Sequence, residues 1–129
     1  MDYSRVLREI FRLHVNNFYL EMSSEKAPET LLTLIGQSIE AKHRIFIGVI
    51  NPREAHVETA EQVRDRILLA AKYIPIEQLG TTDDCGFAPY NDNEFITRDK
   101  AYEKIRARIE GTQLAEDVFN QRFINSRSD

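Results

Sequence analysis

Cysteine is all but absent from this sequence: Cys85 is the only one in 129 residues. That excludes an internal disulfide framework and any multi-cysteine zinc motif within these residues. It also makes a reducing compartment, the cytoplasm, the expected setting. Long apolar runs are missing, and none approaches the ~18 residues that would span a membrane. The mixed-charge start, MDYSRVLREI, has no apolar stretch of the kind a secretory signal needs. A basic excess is missing as well. Lys and Arg number 17 against 21 Asp and Glu, a net charge of −4, so no nucleic-acid partner is expected, because phosphate binding needs a basic face. There is no low-complexity tract and no exact repeat. What is present, 42% hydrophobic and 29% charged residues, is the composition of a globular chain, read here as a single domain over residues 1–129.

Short apolar stretches alternate with amphipathic ones. Residues 2–14 place Val6, Leu7, Ile10, Phe11 and Leu13 at helical spacing. Residues 17–22 (NFYLEM) read as a strand, and Pro28 suits the first turn of a helix over ETLLTLIGQSI that Gly36 weakens. The run RIFIGVI at 44–50 is continuously apolar and rich in β-branched residues, as in a parallel strand buried on both faces. Asn51-Pro52 breaks it. Thr59 with Gln62 three residues on forms a capping-box pattern. The helix that follows buries Val63, Ile67, Leu68, Ala71 and Ile74 and stops at Pro75. QLGTT at 78–82 is the third strand. After the polar stretch DDCGFAPYNDNEF, Thr97 is the expected N-cap of a last helix to about Phe119. Its apolar positions are Ala101, Ile105, Ile109 and Leu114, and a frayed tail is expected after it. The charged run TRDKAYEKIRARIE within it reads as a solvated face with i,i+4 pairs, and Tyr73, Tyr90 and Tyr102 read as packing residues.

The class is therefore α/β: a first helix, then three βα units with parallel strands. Strand starts at 17, 44 and 78 lie about 27 and 34 residues apart, close to the ~31 residues per unit of a (β/α)₈ barrel. Doubly wound sheets share that spacing.

In either fold ligands gather at the carboxyl ends of the strands. Strand one ends in Glu21, followed by Ser23 and Ser24; strand two ends in Asn51; strand three ends in Asp83-Asp84-Cys85-Gly86. Parallel strands would open Glu21, Asn51 and Cys85 onto one face, where a carboxylate and a thiol suit a borderline-soft metal such as zinc. The plainer readings are a lone Cys as a small buried hydrophobe, a lone Glu as a solvated carboxylate, and Asp83 and Asp84 as loop or helix-dipole residues. His14, His43 and His56 share no ligand spacing. Ser23 has no base partner that would make it a nucleophile.

Residues 47–87, IGVINPREAHVETAEQVRDRILLAAKYIPIEQLGTTDDCGF, resemble the C-terminal barrel of cobalamin-independent methionine synthases, type II above all. Three features carry the resemblance. They are the strand Gly48-Val49 leading through a loop to Val-Glu-Thr, the Ile74-Pro75 and Gln78-Leu79 steps, and the Asp84-Cys85-Gly86 turn. FYLEMSS at 18–24 and TRDKAYEKIRARIEGTQLA at 97–115 resemble flanking segments of the same family. The resemblance implies a partial TIM (β/α)₈ barrel, about its last three βα units. It implies zinc held by Glu21 and Cys85, with Asn51, Asp84 and Ser23 facing substrate or supporting the ligands. The implied reaction is methyl transfer from a methylfolate-type donor to the thiol of homocysteine, giving methionine. The family's other zinc ligands, a His-x-Cys pair, have no counterpart here, so the implied zinc site is incomplete. Two alternatives stand beside this reading. One is a related zinc-dependent thiol alkyltransferase; the other is a non-catalytic segment that self-associates or completes a barrel in trans with its missing half.

Overall fold

The computed structural model describes residues 6–84 and 97–127. Cys85 and Tyr90 lie outside the described residues. A short helix α1 (Leu7–Ile10) leads into β1 (Asn17–Leu20), α2 (Pro28–Ser38), β2 (Arg44–Ile50), α3 (Ala60–Ala70), a 3₁₀ turn (Ile76–Gln78), β3 (Leu79–Asp83) and α4 (Arg98–Arg127). The three strands form one parallel sheet in the order β1-β2-β3.

That order is the one a segment of a (β/α) barrel has, and one half of a doubly wound sheet shares it. Parallel strands laid down one after the next in a single direction, each joined by a right-handed crossover, place every helix on the same face. The arrangement is a segment of an unclosed (β/α) barrel. Register assigns the faces. Phe18, Ile45 and Leu79 lie side by side, as do Leu20, Ile47 and Thr81. They face the helices: Phe18 packs edge-on against Phe11, with ring centroids 4.7 Å apart, and Thr81 Oγ1 lies 3.2 Å from Thr112 Oγ1 of α4. Together with Leu7, Leu32, Ile35, Val63, Ile67 and Ile74 these residues form the core. Tyr19, Phe46 and Gly80 occupy the opposite face, which no helix among the described residues covers.

Local signals account for most boundaries. Thr59 and Gln62 form the expected capping box, Thr59 Oγ1 accepting from Gln62 N at 3.1 Å and Gln62 Oε1 accepting from Thr59 N at 3.0 Å. Thr97 Oγ1 accepts from Lys100 N at 3.2 Å at the start of α4. At the amino ends of the strands, Gln78 Nε2 donates to the carbonyls of Glu40 and His43 at 2.7 and 2.8 Å. There His43 is buried, its Nδ1 accepting from Glu40 N at 3.0 Å.

Several expectations need correction. The first helix is one turn, and Leu13 and Val6 are exposed. β1 stops at Leu20, so Glu21 is the first residue past the strand. Leu68 and Ala71 are only half-buried, and Ala70 takes the place in the core. The last helix does not end near Phe119 but continues to Arg127. Its buried line is Lys104, Ala107, Gly111 and Ala115 rather than Ala101, Ile105, Ile109 and Leu114, and Ile109 is 60% exposed. The reason is close packing of α4 on α3. A Cβ at Gly111 would sit 2.5 Å from Val63 and 2.7 Å from the Ala60 carbonyl oxygen, so the contact line must be small. Tyr102 is exposed, with the Arg98 guanidinium 5.7 Å from its ring centroid.

Candidate functional site at the strand ends

The carboxyl ends of the three strands carry a concentration of polar side chains, and each is held by an identifiable element. Asp84 follows β3. Its Oδ1 accepts from Met22 N at 3.1 Å and Ser23 N at 3.2 Å, and its Oδ2 accepts from the Ser23 hydroxyl. Its own N–H donates to the Ile50 carbonyl at 3.0 Å. One carboxylate thus ties the segment after β1 to the ends of β2 and β3. Gly48 makes this possible, since a Cβ there would fall on the Asp84 carboxylate. A register irregularity between Gly48 and Ile50 lets Asp83 pair with Ile50. Asp83 Oδ1 accepts from Arg108 Nε of α4 at 3.0 Å, while Asp84 lies by Gly48.

A second cluster surrounds the exit of β2. Lys104 of α4 is fully buried, and its Nζ donates to Glu58 Oε1 (2.6 Å), the His56 carbonyl (2.6 Å) and the Asn51 carbonyl (2.9 Å). Glu58 Oε2 accepts from Asn51 N at 2.6 Å and lies 3.8 Å from Arg66 Nη1, which donates to the Val49 carbonyl at 2.6 Å. The charged run that reads as a solvated face therefore contains a buried cation. Its partner, Glu58, lies 46 residues away and was not singled out by sequence. The available signal was a Glu just before a capping box, where a solvated carboxylate is the ordinary occupant.

Glu21, Ser24, Asn51, Pro52, Arg53 and Asp84 line a cavity of about 60 Å³. The structure thus brings together Glu21, Asn51 and Asp84 of the expected set, with Ser23 bonded to Asp84. Cys85 is the next residue in sequence. Small-molecule sites usually enclose ~300–1,000 Å³, so this cavity alone is too small to enclose such a molecule. Two larger hollows lie elsewhere among the described residues. One, of about 440 Å³, is at the amino ends of the strands, lined by Arg8, Arg12, His14 and Lys42 among others; Arg12 and Lys42 are paired there with Glu9 and Glu40. The other, of about 240 Å³, is mainly apolar and lies along β3 and α4.

A zinc centre takes three or four protein ligands. Among the described residues no three His, Cys, Asp or Glu side chains are placed to share an ion. Asp84 spends both oxygens on the segment after β1, and Glu21 is exposed. Glu21 with Cys85 is a pair of the right chemistry but not a complete centre.

Residues 1–105 match the family model described as "Cobalamin-independent synthase, Catalytic domain". The chain belongs to that family. A methionine synthase of Saccharolobus solfataricus is 28% identical over 123 residues, covering 94% of this chain and 34% of the relative. A 2-hydroxypropyl-CoM lyase of Xanthobacter autotrophicus is 34% identical over 69 residues, covering 54% of this chain and 17% of the lyase. Among solved structures, a B12-independent methionine synthase from a Shewanella species superposes with a TM-score of 0.77 at 21% identity, over 92% of this chain and 32% of that one; that likeness concerns the fold. The chain spans about a third, or less, of the length of these relatives. No helix among the described residues is long and apolar enough to cross a membrane.

Proposed function

We propose that this chain supplies about the last three βα units of a zinc-dependent, methyl-transferring barrel. Its substrates would be the homocysteine thiol and a methylfolate-type donor, and its setting the cytoplasm. Family membership supports methyl-transfer chemistry in general. The observation that carries the specific reading is the meeting of Glu21, Asn51 and Asp84 around one cavity at the carboxyl ends of parallel strands, with Cys85 adjacent in sequence. Methyl transfer to a thiol forms a C–S bond, breaks the donor's C–N bond and moves a proton, in net terms, from the thiol to the donor nitrogen that is left behind. A site for it must exclude water and stabilise an anionic sulfur. The residues described here offer one wall and one candidate metal donor, Glu21, with Cys85 next to Asp84 in sequence. The remaining ligands and walls are to come from outside them. Asp84 and Ser23 would set the backbone beside Glu21, and Asn51 would face substrate.

Two other readings each have an observation in their favour. The 34% identity to a protein named as a 2-hydroxypropyl-CoM lyase favours a related zinc thiol alkyltransferase with a different substrate. The uncovered sheet face and the outer positions of β1 and β3 favour a segment that completes a barrel in trans without chemistry of its own.

Methionine formation from homocysteine and a methylated folate separates them. The assay compares the chain alone with the chain mixed with the first five βα units of a family barrel. Activity is expected in the mixture and lost with Glu21→Gln or Cys85→Ser. An active mixture indifferent to both substitutions would assign the chemistry to the other component. An active mixture with a different thiol would favour the second reading.

A further inference from the structure

We propose that Glu58 and Lys104 form a buried clamp that fixes Asn51 at the rim of the strand-end cavity, which makes them positioning residues for that site. The inference rests on the reading of this cavity as the site. Both ends of Asn51 are held by charge: its N–H by Glu58 Oε2 at 2.6 Å and its carbonyl by Lys104 Nζ at 2.9 Å. The same ammonium also holds the His56 carbonyl, so its three protons have three acceptors. Asn51 Oδ1 is occupied by Arg53 N at 3.0 Å, which leaves the side-chain NH₂ as the donor that Asn51 brings to the cavity.

The alternative, that the pair serves bulk stability, fits less well. Lys104 is 0% and Glu58 4% exposed. Desolvating two charges costs about as much as their attraction returns, and apolar replacements of similar size are often neutral or stabilising. Stability alone would be served as well by an uncharged pair of similar size. The hydrogen bonds of Glu58 and Lys104 converge instead on the backbone of the 51–58 loop, whose first residue lines the cavity.

The test replaces both charges together, Glu58→Gln with Lys104→Met, and follows backbone amide exchange and the Asn51 side-chain NH₂ resonances by NMR. Exchange at Asn51 is expected to rise about tenfold or more, because a charge-assisted hydrogen bond is lost. Ile47, four residues earlier within β2, should keep its protection, and the Asn51 NH₂ resonances should move. Unchanged exchange at Asn51, or an equal rise at Ile47, would overturn the clamp. Glu58→Gln alone serves if the double variant does not fold: it keeps the side chain's size but leaves one neutral oxygen for the Asn51 N–H and Lys104 Nζ to share, so a smaller rise at Asn51 with Ile47 unchanged is expected, and no rise refutes the proposal. None of these readouts uses methyl transfer. A failure of the proposed reaction would show instead as an inactive mixture with Asn51 still protected.

Discussion

The two faces of the sheet come from the same three strands yet meet different surroundings. On the helix side Phe18, Leu20, Ile45 and Ile47 are each at most 6% exposed, closed over by α2, α3 and α4. On the other side Tyr19 is 64% exposed and stacks flat on Phe46, with centroids 4.6 Å apart, and the Phe46 ring lies where a Cβ on Gly80 would be. Strand side chains alternate, so each strand must serve both faces. A run such as RIFIGVI, apolar at nearly every position, is the pattern of a strand buried on both sides. The difference between the faces therefore marks the second one as surface made to be covered. In a closed (β/α) barrel that face is the interior, with the site at its carboxyl end.

Four substitutions would break or sharpen this contrast. The largest effect is expected at the polar end of the helix side. Lys104→Met alone leaves Glu58 buried without its cation and should cost about 3–5 kcal/mol in urea unfolding. Ile47→Ala opens a cavity under the helices and should cost about 2–5 kcal/mol with little change in the denaturant slope. Gly48→Ala, on the open face, should cost about 1–3 kcal/mol, because its methyl group displaces Asp84 and strips acceptors from the Met22 and Ser23 amides. Exchange at those two amides would report the same event. Tyr19→Ala should cost the isolated chain under ~1 kcal/mol, since it removes an exposed ring and one stacking contact. Its effect should appear instead as weaker association with the rest of a barrel, read by light scattering. A Tyr19→Ala variant as damaged as Ile47→Ala would mean that the open face already supports the fold of this chain.

How much was legible depends on how local each cause is. The β2 strand over 44–50 and the Thr59–Gln62 box matched the structure residue for residue, because hydrophobic run and cap chemistry are contained in a few adjacent residues. Parallel strands point to Glu21, Asn51 and Cys85 on one face; the structure brings Glu21 and Asn51 to one cavity with Asp84, which only the family resemblance put near the site, and Cys85 lies outside the described residues. The buried side of α4 was not. Lys104 looks like any surface lysine until Glu58, the Asn51 carbonyl and the His56 carbonyl are brought to it by tertiary packing. Small residues at Ala107, Gly111 and Ala115 carry no strong periodic signal, although they decide how close α4 comes to α3. Asp84 was expected beside the site. Its threefold acceptance from Met22 and Ser23 depends on Gly48, 36 positions earlier, being free of a side chain.

The central claim is that Glu21 and Cys85 contribute to a zinc centre whose other ligands lie outside these residues. The direct measurement is zinc per chain, taken together with molar mass from light scattering, for the parent and for Cys85→Ser, each alone and mixed with the first five βα units of a family barrel. The account predicts zinc only in species heavier than the 15.0 kDa chain, and its loss on substitution. Stoichiometric zinc in the monomer, or zinc in an assembly that Cys85→Ser leaves unchanged, would contradict it.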